Sequence, residues 1–244
     1  MAFQSIATNL VEGDTNGVDD VFVHDRRNGE TQRVSLASDG TQGNGLSGGP
    51  SISADGRFVA FASEASNLVN GDTNGILDVF VHNRQNGETQ RISLASDGTQ
   101  GNGASSTPSI STDGRFVAFA SEAGNLVSGD TNNKRDIFIH DRQTGETRRV
   151  SVDSDGTQAN LESYRLDISF DGRFVAFSSD ASNLVNGDTN SEMDIFVHDC
   201  QSGETQLVSI TSDGTQGNNT SFSPSISADG RWVTFISMAS NLVA

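Results

Sequence analysis

The sequence predicts an all-β fold built from a tandem repeat, and three observations lead to this prediction. Segment 51–61, SISADGRFVAF, returns at 109–119 and 225–235, with a weaker copy at 167–177. Its glycine recurs every 58 residues, at Gly56, Gly114, Gly172 and Gly230, and a fixed period of this size is typical of repeat architectures. In each copy Asp-Gly stands between two short runs of alternating or β-branched residues. This pattern indicates a tight antiparallel hairpin.

Each repeat contains the pattern of four short strands. In the best-formed copy, the predicted strands are 50–54, 57–63, 78–82 and 89–94. An Asp-Gly turn joins the first two, and a loop dense in turn residues closes the unit at 96–103. Strands that are apolar on both faces fit a small sheet packed between two similar sheets. We therefore expect a β-propeller of four blades, each with four antiparallel strands.

The two ends of the chain predict ring closure. Phe3 and Phe235 lie four repeat periods apart, so the chain begins and ends partway through a repeat. We expect an N-terminal half-blade with strands three and four to pair with a C-terminal half-blade that supplies strands one and two. Residues 1–244 would then form a single propeller domain, with the extra strand-two copy at 2–5 displaced. The alternative is an open arc whose ring is completed by a second chain.

Composition excludes several partners. The formal net charge is −17, from 15 basic and 32 acidic residues. This balance argues against nucleic acid, whose phosphates require basic patches. The mean hydropathy is −0.40 and no apolar run approaches the length of a membrane span. The one cysteine, Cys200, leaves no intrachain disulfide to form.

Four loops share the pattern D-x-N-x-x-x-D and are candidate calcium (Ca²⁺) sites. Hard cations take several oxygen ligands from a tight loop, and Asp/Asn alternation followed by a later carboxylate supplies them. The alternative is structural: the first residues cap their own turns and the last aspartate anchors strand three. The candidate ligands are Asp14, Asn16, Asp20, Asp72, Asn74, Asp78, Asp130, Asn132, Asp136, Asp188, Asn190 and Asp194.

Four histidines also recur at the repeat period, at His24, His82, His140 and His198. A ring of histidines suggests a metal centre, but these residues lie in strand three, away from the inner strand that lines a propeller channel. We therefore expect packed or hydrogen-bonded histidines between blades.

The third repeat departs most from the others. Glu162-Ser163-Tyr164-Arg165-Leu166 replaces the small residues found at 104–108, and Tyr164 is the only tyrosine. Broken symmetry near an inner strand predicts a ligand site at the channel mouth, because exposed aromatic and arginine side chains favour recognition. Tyr164 and Arg165 are the candidate ligand-binding residues. Simple drift of the repeat is the alternative.

Segments 50–61 and 78–82, PSISADGRFVAF and DVFVH, resemble the repeat of TolB-like β-propellers. Blades of that family carry S-x-D-G-[KR]-x-[IVL]-[AV]-F, then a D-[IV]-[FY]-[VL] strand and a G-[EG] turn. The resemblance covers essentially the whole chain and implies a binding or scaffold module of the cell envelope, periplasmic or extracellular. Two features depart from the family: the repeat is longer, and there are four copies where TolB propellers have six.

No acid–base pair or nucleophile–base set recurs in the sequence, so we expect no enzymatic activity. The predicted function is a non-catalytic interaction or scaffold module that binds a protein or a small ligand. A multivalent, lectin-like propeller is the alternative, although it would favour one exposed aromatic residue per repeat. The propeller domain of a hydrolase is the third hypothesis, since propellers support many functions.

Overall fold

The computed structural model describes residues 1–243 as seventeen strands in five antiparallel sheets that follow one another along the chain. The first sheet contains β1 (Ala2–Ser5), β2 (Asp20–His24) and β3 (Thr31–Arg33). The second contains β4 (Ser47–Ile52), β5 (Phe58–Ser63), β6 (Asp78–Asn83) and β7 (Glu88–Arg91). The third contains β8 (Ser105–Ile110), β9 (Phe116–Ser121), β10 (Asp136–Asp141) and β11 (Glu146–Arg149).

The last two sheets continue the same order. The fourth contains β12 (Ser163–Ile168), β13 (Phe174–Ser179), β14 (Asp194–Asp199) and β15 (Thr205–Leu207). The fifth contains only β16 (Ser221–Ile226) and β17 (Val233–Ser237). Within residues 1–243, no helix is long and apolar enough to cross a membrane.

The all-β prediction and the four-strand repeat are confirmed in the three central sheets, each of which pairs its strands in chain order. The first strand of a repeat begins earlier than predicted, at Ser47 instead of residue 50. The reason is a β-bulge that shifts the register between Gly48 and Ser51. A bulge adds an unpaired residue and hides the simple alternation on which the sequence prediction depended.

The predicted closure of the ring by the two half-blades is wrong, and so is the count of four complete blades. The first sheet has three strands and the fifth has two, and the described strands of these two sheets do not pair with each other. The physical reason is β1, which was expected to be displaced. It pairs with β2 in the register Ala2↔Val23 to Ser5↔Asp20, and so occupies the edge that β17 would need.

Stacked phenylalanine pairs lie in the first four sheets. In the second sheet, Phe61 of β5 and Phe80 of β6 are both fully buried, with ring centroids 6.0 Å apart. The third and fourth sheets repeat this pair at 5.9 Å. Burying one such side chain stabilises a fold by about 1.5–3 kcal/mol. Each pair joins two strands of one sheet, and the pair of the second sheet also belongs to one buried cluster with Val21 and Val23 of the first sheet.

Backbone hydrogen bonds join the first strands of neighbouring sheets just before their Asp-Gly turns. The amide of Ala54 donates to the carbonyl oxygen of Thr112 at 3.2 Å, and the amide of Thr112 donates to that of Phe170 at 3.1 Å. The amide of Phe170 in turn donates to Ala228 at 3.0 Å. These bonds hold β4, β8, β12 and β16 side by side as the inner strands.

Candidate functional site

A cavity of about 430 Å³ lies where three inner strands, β8, β12 and β16, approach one another. Four of its residues belong to these strands and two more precede strand three of a sheet. The lining combines charged and apolar side chains, namely two guanidinium groups and two aromatic rings. The lining residues are Thr107, Arg135, Tyr164, Arg165, Ser178, Met193, Thr220 and Phe222.

The lining residues break the 58-residue repeat. Tyr164 and Phe222 occupy the position held by Ser106 in the preceding repeat. Ser178 stands where Ala120 is found one period earlier. Because the same backbone carries small residues elsewhere, the cavity depends on side chains particular to the second, third and fourth repeats and not on the fold in general.

β-bulges direct the inner-strand side chains at this point. The register of β12 against β13 shifts between Ser163 and Leu166, which places Tyr164 and Arg165 inside the bulge. At the equivalent bulges, Thr107 and Ser223 have φ angles of 49° and 55°. Bulges of this kind turn a side chain away from the regular pleat, and they are common beside binding sites.

The ring of Tyr164 is fixed in place by its hydroxyl, which donates to Oδ2 of Asp180 at 3.0 Å. Burial, together with the hydrogen bond to the Asp180 carboxylate, raises the pKa of Tyr164 to about 12. The phenol therefore stays protonated at neutral pH. Because the hydroxyl is held by Asp180, the Tyr164 side chain keeps one orientation. Its ring therefore forms a fixed apolar wall of the cavity.

Two arginines supply positive charge to the cavity. Arg135 Nη2 donates to the hydroxyl of Ser106, and Arg165 is exposed. Neither side chain is in an ion pair with a carboxylate in the described part of the chain. Both guanidinium groups thus keep donors for a ligand, and arginine donors match carboxylate and phosphate groups.

Ser178 adds a buried hydroxyl with unmet hydrogen-bonding capacity. Its side chain is 1 % exposed, and Oγ has no hydrogen-bond partner among residues 1–243. An unsatisfied buried polar group costs about 1–3 kcal/mol, and such groups are rare in native structures. A ligand that hydrogen-bonds this hydroxyl would remove that cost.

The structure brings the two predicted ligand-binding residues, Tyr164 and Arg165, to one cavity. Sequence reasoning missed Arg135, Ser178 and Phe222, which complete it. The signal was present, because each of these residues also departs from its counterparts 58 positions away. It went unused because these departures are single residues spread over three repeats.

The four D-x-N-x-x-x-D loops form closed hydrogen-bond networks. In the first loop, Gln42 Nε2 donates to Asp14 at 2.9 Å and to Asp20 at 3.0 Å. Asn16 donates to the same oxygen of Asp20 at 3.1 Å, and the hydroxyl of Ser35 binds the other oxygen. The loop therefore caps its own turn and anchors the start of β2, as the structural alternative requires.

An arginine lies between the two carboxylates in three of the loops. Arg33 Nη1 is 3.3 Å from Asp14 and 3.5 Å from Asp20. Arg91 and Arg149 occupy the same position in the second and third loops. In the fourth loop, Leu207 stands at this position, so among residues 1–243 no arginine forms an ion pair with the carboxylates of that loop.

This arrangement fits a cation poorly in the first three loops, where a guanidinium already supplies the positive charge. No group of three or more acidic, histidine or cysteine side chains within residues 1–243 is arranged to hold a metal ion. In the fourth loop, burial is the main cause that raises the pKa of Asp194, and the neighbouring Asp188 charge adds to it. Calcium binding stays a prediction, and the fourth loop is the best candidate.

The remaining candidates serve the structure. The histidines of strand three hydrogen-bond threonines of strand four at 2.8–2.9 Å, which confirms hydrogen-bonded histidines. Cys200 packs against the apolar core of the fourth sheet. Burial raises the pKa of its thiol to about 12, so it is not a reactive thiolate at neutral pH.

Comparison with known proteins identifies the fold. No protein-family model and no curated protein sequence matches this chain. Among solved structures, TolB from Acinetobacter baumannii has a TM-score of 0.54 and 18 % identity, over 91 % of this chain and 44 % of TolB. An oligogalacturonate lyase in complex with manganese has a TM-score of 0.50 and 17 % identity, over 89 % of this chain and 50 % of the lyase.

This chain thus spans half or less of the length of both proteins. Identities of this size support a shared fold and do not carry over an activity. Together with the sheet topology and the repeated hairpins, they show that this chain has the fold of TolB-like β-propellers.

Proposed function

We propose that this chain is a non-catalytic binding module whose ligand enters the cavity between β8, β12 and β16. The observation that carries this proposal is the unpartnered hydroxyl of Ser178, buried in a wall of the cavity. Its neighbours add guanidinium donors and aromatic surface. Apolar walls with a few converging polar groups are typical of ligand sites.

The chemistry of the cavity favours a ligand with one anionic group on an apolar body. Arg135 and Arg165 would bind a carboxylate, while the rings of Tyr164 and Phe222 would contact the body of the ligand. No base lies within hydrogen-bond reach of Ser178 in the described residues, so this hydroxyl is not activated as a nucleophile. This supports binding over the hydrolase hypothesis.

The module would act as a single binding site on an interaction or scaffold protein. The cavity is formed once, by side chains that the second, third and fourth repeats do not share with one another, which favours one site over the multivalent, lectin-like alternative. The resemblance to TolB-like repeats supports a periplasmic or extracellular location for this function.

Fluorine NMR with 4-fluorobenzoate tests the proposal, and 4-fluorobenzamide serves as its neutral counterpart. We expect line broadening of the benzoate on addition of the protein, at least tenfold weaker binding in Arg165→Gln, and little binding of the benzamide. Arg27→Gln removes the same charge from an exposed position of the first sheet and should leave binding unchanged. Equal losses in both variants, or no broadening by wild type, would contradict the assignment.

A second proposal concerns calcium in the fourth loop, and the missing arginine favours it. Gln216 donates to Asp188 at 2.8 Å and to Asp194 at 2.9 Å. A flip of its amide would present an oxygen ligand instead. Bound calcium would supply the positive charge that an arginine supplies in the other three loops.

Thermal unfolding in EDTA, calcium and magnesium tests this second proposal. A ligand that binds only the native state raises the unfolding midpoint. We expect a calcium-specific rise that is lost in Leu207→Arg, because the guanidinium would then take the place of the cation. A midpoint that does not respond to calcium in wild type would remove the metal assignment from all four loops.

A further inference from the structure

Successive sheets are joined by an aromatic side chain that packs onto a glycine of the next sheet. Phe58 at the start of β5 lies against Gly114, and a Cβ added to this glycine would come within 2.2 Å of the ring. Phe116 meets Gly172 and Phe174 meets Gly230 in the same way, at 2.2–2.3 Å. We call the aromatic residue the knob and the turn glycine with its surroundings the socket.

Two arginines lie close to the ring of the Phe58 knob. The guanidinium of Arg57 is 4.6 Å from the ring centroid of Phe58, and that of Arg142 is 4.5 Å from it. Arg142 also donates to the carbonyl oxygen of Gly114 at 2.6 Å. This second arginine therefore belongs to the socket and grips the knob of the preceding sheet by a cation–π contact.

The last sheet presents a knob to solvent. Trp232 occupies the position of Phe58, Phe116 and Phe174 in the repeat, and it is 62 % exposed. The guanidinium of Arg231 lies 4.6 Å from its ring centroid, so Trp232 already has the cation–π contact that Arg57 makes with Phe58. Tryptophan has the strongest cation–π interaction of the aromatic residues.

The first complete sheet presents a matching socket. A cavity of about 510 Å³ at the beginning of the array is lined by Ile52, Gly56 and Arg84, among other residues. Arg84 donates to the carbonyl oxygen of Gly56 at 2.7 Å, as Arg142 does to that of Gly114 in a filled socket. In the described part of the chain, no aromatic ring lies within 4 Å of a Cβ built on Gly56.

The strand edges beside the knob and the socket are complementary as well. The fifth sheet holds strands one and two of a repeat, and the first sheet holds strand two, β1, and then strands three and four. Phe235 of β17 lies four periods after Phe3 of β1. If β17 took the place of β1 beside β2, the four strands would form a complete blade. Trp232 would then lie at the knob position facing Gly56.

We propose that this chain associates head to tail with a second copy of itself through this exchange. Trp232 of one copy enters the partner's Gly56 socket and stacks under the partner's Arg84, while β17 pairs with the partner's β2. A second copy is the occupant because the knob and the socket are repeat equivalents within one sequence. Within residues 1–243, no strand pairing joins the first and fifth sheets of a single chain. A contact of this heterologous kind closes into a ring or extends as a filament.

The single tryptophan makes the association measurable, because Trp232 is the only one in the chain. We expect its emission to shift to the blue and its quenching by acrylamide to fall as protein concentration increases, while light scattering shows a growing mass. Arg84→Gln should raise the concentration needed at least tenfold. Lys134→Gln, the matched loss of a charge outside the interface, should not. Monomers at all concentrations with Trp232 open to the quencher would overturn the proposal.

A disulfide between strands tests the register in a Cys200→Ser background. Since Ala2 pairs with Val23, Thr234 would face Val23 after the exchange. We expect a mixture of Thr234→Cys and Val23→Cys chains to form an interchain disulfide on oxidation. The Ala2→Cys/Val23→Cys chain reports whether Val23→Cys retains the fold. An intrachain disulfide alone in the Thr234→Cys/Val23→Cys chain would show closure of one chain on itself and overturn the second-copy assignment.

Discussion

At the scale of single residues, a short hydrogen-bond chain connects neighbouring sheets. His82 Nδ1 lies 2.8 Å from Oγ1 of Thr89, and this hydroxyl donates to the carbonyl oxygen of Leu36 in the preceding sheet at 2.5 Å. A hydroxyl has one proton to donate. Because that proton goes to Leu36, the histidine must carry a proton on Nδ1 and donate it to the threonine oxygen.

The first prediction concerns this chain of bonds. Thr89→Val should lower the free energy of unfolding by about 1–3 kcal/mol, because it leaves Nδ1–H and a carbonyl oxygen buried without partners. Thr31→Val is the matched control, since Thr31 bonds His24 at 2.9 Å and, within residues 1–243, its hydroxyl donates to no carbonyl oxygen of another sheet. Urea denaturation measures both. Equal losses would show that the bond between sheets contributes nothing.

The second prediction concerns pH. Burial, with a smaller contribution from the charge of Arg84, lowers the pKa of His82 to about 4. Burial also lowers the pKa values of His140 and His198. As pH falls below the ordinary value of about 6.5, the unfolded chain takes up protons first, so the folded state loses stability down to about pH 4.

The expected slope within that window is at most about 1.4 kcal/mol per pH unit for each histidine. Urea denaturation at several values between pH 7.5 and 5 measures it, and His82→Gln should reduce the slope. Asp141, whose pKa the hydrogen bond from Arg115 lowers to about 2, titrates below this window. Stability that does not change between pH 7.5 and 5 would contradict the neutral buried histidines.

At the scale of elements, the glycine of the Asp-Gly hairpin has two structural roles: it adopts the turn conformation, and it leaves space for the knob of the preceding sheet. Its glycine has a positive φ, 72° at Gly56 and 74° at Gly114, which the turn requires in every repeat. The two positions differ only in the second role, which is to leave space for the knob of the preceding sheet. Gly114 meets the ring of Phe58, whereas a Cβ on Gly56 has ordinary contacts with Arg84 and Ile52.

The third prediction follows from this difference. Both Gly56→Ala and Gly114→Ala should cost about 1–2 kcal/mol for the left-handed backbone. Gly114→Ala should cost about 1–3 kcal/mol more, because its methyl group would overlap the Phe58 ring and force the two sheets apart. Urea denaturation of dilute, monomeric protein provides the comparison. Equal costs would mean that the ring moves aside freely.

The elements were largely predictable because their signals are local. Asp-Gly between β-branched runs specifies a hairpin within a few residues, and the 58-residue period repeats that signal often enough to average out drift. The bulge before Ser51 was missed, since a residue such as Gly49, with a φ of 59°, leaves no mark on an alternation pattern. The pairing of β1 with β2 was also missed. Both β1 and β17 are copies of strand two, and the sequence pattern allows either of them to pair with the edge of β2.

At the scale of the whole molecule, the candidate ligand site could be predicted only in part. Tyr164 and Arg165 stand out as adjacent departures from the repeat, so the sequence indicates them together. Arg135 and Ser178 meet them only after the inner strands converge, and their separation along the chain hides the cluster. Whether the ring closes depends on the rotation between neighbouring sheets, added up over all five sheets. No short sequence motif encodes that sum.

The last prediction concerns the charge of the whole chain. Thirty-two acidic residues against fifteen basic ones leave a net charge of −17, and such an excess destabilises a compact state through self-repulsion. Many of the ion pairs, such as Arg33 with Asp20 and Arg149 with Asp136, have nearly buried side chains, and salt screens buried pairs weakly. Screening should therefore weaken the repulsion more than the attraction.

We expect the unfolding midpoint to rise by a few degrees between about 10 mM and about 150 mM KCl, as the Debye length falls from about 30 Å to about 8 Å. Potassium chloride in EDTA keeps divalent cations out of the comparison. Arg27→Gln makes the net charge more negative at an exposed position, so it should steepen the salt dependence. A midpoint that falls with added salt would show that partly exposed pairs, such as Arg173 with Asp199, outweigh the repulsion among the remaining carboxylates.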